Sequence, residues 1–142
     1  MSKTVIAKKY LLRAVLASVV FGVLDSLWFG LFMQKFALNK LEPLLRLSGN
    51  KLDVSLGFAL IAYFFMVVLA VFFVDLRGNS ARKVFFKASL FGICVFGIYD
   101  CTNGALLKVY PLEFVLVDTL WGGVLYGTYS VIAHTLSSKF SV

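Results

Sequence analysis

Residues 55–75 read SLGFALIAYFFMVVLAVFFVD, and no charge interrupts them before Asp75. About 20 apolar residues in an α-helix cross the roughly 30 Å hydrocarbon core of a bilayer, so this stretch predicts a transmembrane helix. Outward from it, three more apolar runs of similar length lie near residues 11–33, 88–107 and 112–135. The chain is therefore expected to be all-α, a polytopic membrane protein whose four-transmembrane-helix bundle forms one integral membrane domain over residues 1–142. Composition agrees: 61% of the residues are hydrophobic, 16% aromatic and only 15% charged, and the mean hydropathy is +0.92. A soluble domain of this size could not hide that much apolar surface.

Two connections are short and polar, residues 77–87 with Gly78-Asn79-Ser80, and residues 108–111, where Pro111 is suited to open the fourth helix. The last two helices must then form a tight hairpin. Lys and Arg number four before the first run, four in the first loop, four in the second, one in the third and one at the C-terminus. With both termini in the cytoplasm, nine lie inside and five outside, the orientation that the positive-inside rule favours. The expected location is the cell inner (cytoplasmic) membrane. The net charge of +7 sits in these flanking clusters rather than on one accessible face, which argues against nucleic acid and for the lipid bilayer as the partner.

The first loop is the exception, with Lys35, Lys40, Arg46 and Lys51 on the side poorer in charge. Its segment 36–47 mixes Phe36, Leu38, Leu41, Leu44 and Leu45 with charges and predicts an interfacial helix between helices 1 and 2, limited by Pro43. At the N-terminus, Lys3, Lys8, Lys9 and Arg13 precede the first run as in a secretory signal. That run continues past Asp25 to Met33 without a clear small-x-small site, so an uncleaved first helix is expected. Cys94 and Cys101 are seven residues apart on one helix, a rise of about 10 Å that no disulfide bridges.

Asp25, Asp100 and Asp118 lie inside otherwise apolar runs. A carboxylate at bilayer depth costs about 2.5 kcal/mol or much more, so such residues face a protein interior or a water-filled path. At about 1.5 Å of rise per residue, all three fall in one layer roughly 3 to 8 Å outward of the midplane. Asp100 and Asn103 share a helix face at i, i+3 within Tyr99-Asp100-Cys101-Thr102-Asn103-Gly104. No Lys or Arg lies at that depth, so either some of the carboxylates are protonated or a cation binds.

An internal echo is the most specific pattern. Asp25-Ser26-Leu27-Trp28-Phe29-Gly30 matches Asp118-Thr119-Leu120-Trp121-Gly122-Gly123 as D-[ST]-L-W-x-G. The first and fourth helices run in opposite directions, so the copies are expected to be related by an approximate two-fold axis in the membrane plane, as in transporters with inverted halves. Asp25 is then level with Trp121 and Asp118 with Trp28, each carboxylate within reach of the opposite indole N–H. The stripes Ser18, Gly22, Ser26, Gly30 and Thr119, Gly123, Gly127 predict a close approach of these two helices.

On these residues the chain resembles the uncharacterised bacterial "predicted membrane protein" family, a domain of unknown function. The resemblance rests on Leu24-Asp25-Ser26-Leu27-Trp28, the Y-D-x-T-N signature at residues 99–103 with Cys101 at its variable position, Pro111, and the D-x-x-W-G motif at Asp118-Thr119-Leu120-Trp121-Gly122. It implies a membrane protein over nearly the whole chain and carries no established activity.

Three functions stay open. In the first, a small transporter binds a proton, a cation or a small solute through Asp25, Asp100, Asn103 and Asp118, with Trp28, Tyr99, Thr102 and Trp121 around them; four helices leave little room, which points to a homodimer. In the second, a structural or accessory protein uses the aspartates as interhelical glue or to hold lipid or a partner. In the third, an intramembrane enzyme modifies lipid with the carboxylates as metal ligands or as acid and base. The sequence offers no phosphate-binding loop, HExxH, GxSxG or paired CxxC, and no cofactor is expected. His134 reads as a polar helix-end residue, Asp75 as the partner of Arg77, Tyr63, Tyr110 and Tyr126 as hydrogen-bonding or interfacial, and Phe58, Phe64, Phe65, Phe72 and Phe73 as facing lipid or core.

Overall fold

The computed structural model describes residues 3–76 and 80–140. Four of its helices are long and apolar enough to cross a membrane. The first run forms α1 (Lys3–Trp28), passes through one π-helical turn (Phe29–Met33) into α2 (Gln34–Leu41), and ends in a single 3-10 turn (Glu42–Leu44). No proline stands between Trp28 and Leu41, and the lone Gly30 does not break the helix. Pro43, which lacks an amide hydrogen, does. The helix expected over 36–47 thus begins earlier, stops at Leu41 and continues α1. Its 41 residues from Thr4 to Leu44 span roughly 60 Å at about 1.5 Å each, twice the hydrocarbon thickness.

The π turn has a packing consequence. Phe21, Asp25 and Trp28 share one stripe of α1, and the five-residue step from Trp28 to Met33 keeps the buried Met33, Ala37 and Leu41 on it. Without the extra residue the stripe would rotate away from the bundle. A two-residue hairpin follows, β1 (Leu47–Ser48) against β2 (Lys51–Leu52), turning at Gly49 with φ +60°. Next come α3 (Leu56–Phe73), α4 (Ala81–Leu106) and α5 (Leu112–Phe140).

α4 starts before the apolar run because Ser80 caps it: its Oγ accepts from the Lys83 N–H at 3.4 Å. Arg82, Lys83 and Lys87 therefore lie on the first turns of α4 rather than in a loop. Asp75 lies 3.8 Å from Lys87 Nζ; the expected Asp75–Arg77 pair falls at residue 77, outside the described residues. The Pro111 carbonyl opens α5 by accepting from the N–H groups of Phe114 and Val115.

One end of the bundle holds the start of α1 and the end of α5; the other holds the β-hairpin. At the first end Arg13 Nη2 donates to the carbonyls of Ala70 (3.2 Å) and Val74 (2.9 Å), and His134 Nδ1 bonds that of Leu76 (3.0 Å). Carbonyls left open where α3 ends are thereby satisfied. Arg13 is a cap, not merely a flanking charge, and His134 is the helix-end residue expected.

Two apolar clusters form the core, one built on Phe21, Ala70, Ala88, Leu125, Tyr126 and Tyr129, the other at the hairpin end on Met33, Ala37, Leu41 and Phe114. α4 and α5 pack along their whole length, α1 lies on α5, and α3 leans on α1. The small-residue faces have other partners than expected. Thr119, Gly123 and Gly127 do permit a close approach, but to α4: a Cβ on Gly123 would lie 2.9 Å from Ile93, and one on Gly92 would collide with the Gly122 carbonyl. Ser18 and Gly22 face α3, where Tyr63 donates to the Ser18 carbonyl at 2.8 Å, while Ser26 and Gly30 are exposed. Periodicity had fixed the faces but not what meets them.

Candidate functional site

Between the two apolar clusters lies a cavity of about 620 Å³ to which all four spanning helices contribute. α1 gives Asp25 and Trp28, α4 gives Phe96, Tyr99 and Asn103, α5 gives Asp118 and Trp121, and α3 gives Met66. Its rim is formed at the hairpin end by Arg46, Asp53 and Tyr110 among others.

The two copies of the echoed motif meet here. Trp28 and Trp121 stack with ring centroids 4.5 Å apart and planes within 5°. Trp121 Nε1 donates to Asp25 Oδ1 at 2.9 Å, the cross-bond that the levels of the helices predict. Its mirror image is missing: Trp28 Nε1 is buried without a hydrogen-bond partner, and Asp118 has none either among the described residues. The asymmetry follows from the neighbours. α5 is held on its other side by α4, through Thr119 and the glycines, whereas the equivalent Ser26 of α1 is exposed.

Asp100 is fully buried and does not line the cavity. It accepts from Tyr110 Oη at 2.7 Å and from Thr119 Oγ1 at 3.4 Å, so it ties the last turns of α4 to the connection and to α5. Burial, and then the carboxylate it serves, push the Tyr110 phenol above its ordinary value, which keeps it a donor.

Of the eight residues singled out in the sequence, six line the cavity: Asp25, Asn103, Asp118, Trp28, Tyr99 and Trp121. Asp100 sits behind its wall, and Thr102 is exposed elsewhere on α4. Sequence reasoning missed the roles of Thr119 and Tyr110 as Asp100 donors and of Asp53 at the rim. The tight hairpin was the available signal for Tyr110, since it returns the turn to the end of α4; Asp53, in a polar loop, gave none. Cys94 and Cys101 are free. Among the described residues no three His, Cys, Asp or Glu side chains gather to hold a metal ion.

These features define an all-helical, four-span integral membrane protein with a carboxylate-bearing cavity inside the bundle. The chain belongs to the family described as predicted membrane protein (DUF2177), whose model matches residues 10–135. Neither a curated protein nor a solved structure matches it.

Proposed function

We propose that the protein binds a monovalent cation in this cavity, through Asp25 and Asp118, and couples its binding to transport across the inner membrane, with both termini in the cytoplasm. The observation that carries this is Asp118, a carboxylate at bilayer depth that lines the cavity without a hydrogen-bond partner among the described residues. Asp118 is half-buried; withdrawing a carboxylate even partly from water without a partner is costly, and a bound cation or proton reduces the cost. A purely structural polar layer accounts for Asp25 and Asp100, both supplied with donors by the protein. It leaves Asp118 unexplained. A donor set of two carboxylates and aromatic rings fits a proton or a monovalent cation better than a divalent metal, which takes six or more oxygen ligands or keeps several waters.

The test is flux in liposomes loaded with a pH-sensitive dye, with cations screened under an imposed proton gradient. Flux should fall at least about tenfold in Asp118→Asn and in Asp25→Asn, the loss of one charge-assisted contact, while Asp100→Asn should act mainly on stability. Equal flux in Asp118→Asn and wild type, or none from correctly inserted protein, would remove the transport role.

A further inference from the structure

The cavity is open on one side. All seven residues of α3 from 56 to 62 are exposed, Phe58 with the Arg46 guanidinium over its ring included. α3 makes no extended contact with α4, although α4 is bound to α5 along its length. On α4, Ile98, Tyr99, Cys101 and Thr102 are exposed as well. Met66 is the one α3 residue that lines the cavity, so the first turns of α3 put no wall between the cavity and the exposed side of α4.

The wall chemistry selects a charge. Asp25, Asp118 and Asp53 line the cavity against a single guanidinium, and Arg46 is drawn aside, its Cζ 6.0 Å from the centroid of the Phe58 ring. The stacked indoles and the Phe96 and Tyr99 rings offer π faces that attract a cation, most strongly one that has shed its water.

From these features we infer that the occupant is a single-chain amphipathic amine that enters sideways from the lipid, between α3 and α4. This rests on the cation-binding role proposed above and names the substrate class. Its ammonium group sits on Asp25 and Asp118 beside the indoles, and its apolar chain runs out through the gap. The volume of about 620 Å³ falls within the roughly 300–1,000 Å³ of small-molecule sites, enough for the head group and the start of a chain. An anionic head would add like charge to Asp118, and an uncharged one would leave that carboxylate unpaired.

The protein has two tryptophans, and both are in the site, so their emission reports occupancy. Purified protein in dodecyl maltoside micelles, which carry no amine, would be titrated with sphinganine, dodecylamine, ethanolamine and dodecanol. Sphinganine and dodecylamine should change the emission saturably, with midpoints at least about tenfold below that of ethanolamine, and dodecanol should have no saturable effect. Asp118→Asn should raise the amine midpoints at least about tenfold, and Asp118→Glu, which keeps the charge, should largely retain binding and so separates lost recognition from lost fold. Ethanolamine binding as tightly as dodecylamine, with both weakened by Asp118→Asn, would overturn lipid entry and leave a water-borne cation. Amines that bind Asp118→Asn as well as wild type, or dodecanol that matches dodecylamine, would overturn cation recognition itself.

Discussion

At the scale of single residues, the three aspartates of the long apolar helices look alike in the sequence and have different fates in the fold. Asp25 is satisfied by Trp121, Asp100 by Tyr110 and Thr119, and Asp118 by no residue described. Along the sequence, Asn103 at i, i+3 is the polar residue that shares a helix face with Asp100. The donors to Asp100 stand ten and nineteen residues away, across the α4–α5 hairpin, where helical spacing has no reach. Tyr110→Phe removes the shorter of the two bonds and leaves a fully buried carboxylate short of a donor, at a cost of about 1–3 kcal/mol. The lower unfolding midpoint should be measurable in detergent. Because the folded-state pKa of Tyr110 is raised, the bond's contribution is fully present below about pH 10, the ordinary phenol value, and is lost as the pH climbs toward the folded value. The stability gap between wild type and Tyr110→Phe should therefore hold constant from neutral to about pH 10 and narrow above it; a gap that closes near neutral pH would contradict the assignment.

At the scale of elements, the four spans, the tight hairpin opened by Pro111 and the meeting of the first and last helices were all legible, because length, hydropathy and a repeated rare motif survive any packing arrangement. Three things were not legible. The π turn at Phe29–Met33 has no sequence mark beyond an exposed glycine, and it carries the helix through a segment expected to form a separate element. The partner of each small-residue face depends on helix order around the bundle, which periodicity along one helix does not encode. The cap that Arg13 puts on α3 spans 57 to 61 residues, again a matter of tertiary order. The glycines make the second point testable. At Gly92 an added methyl group meets the Gly122 backbone and the Tyr126 ring; at Gly30 it meets nothing within 4 Å. Gly92→Ala should thus cost about 1–3 kcal/mol through overpacking of the α4–α5 seam, whereas Gly30→Ala should be neutral or stabilise by up to about 1 kcal/mol through helix propensity. Thermal unfolding of the two variants side by side checks this, and equal midpoints would deny the seam its role.

At the scale of the whole molecule, the polar layer is not at the centre of a symmetric bundle but lies toward the hairpin end, between a large apolar cluster and a small one. The side of the membrane that faces that end decides which leaflet the gap between α3 and α4 opens into. Lys and Arg divide nine to five in favour of the end with the termini, the basis in the positive-inside rule for the orientation proposed above. The dissent comes from the first loop with its four basic residues, but the fold accounts for part of it. Lys40 is held 3.4 Å from Glu113 and Arg46 lies over the Phe58 ring, so two of the four are committed to partners within the protein. Single cysteines placed at Ser48, in the exposed hairpin, and at Ser137, near the end of α5, in a chain whose Cys94 and Cys101 have been replaced by serine, report the orientation through a membrane-impermeant maleimide. Ser48→Cys should react in intact cells once the outer envelope is permeabilised, and Ser137→Cys only after the inner membrane is opened. The reverse pattern would turn the cavity toward the cytoplasmic leaflet, and an amphipathic amine would then enter it from the inner face of the bilayer.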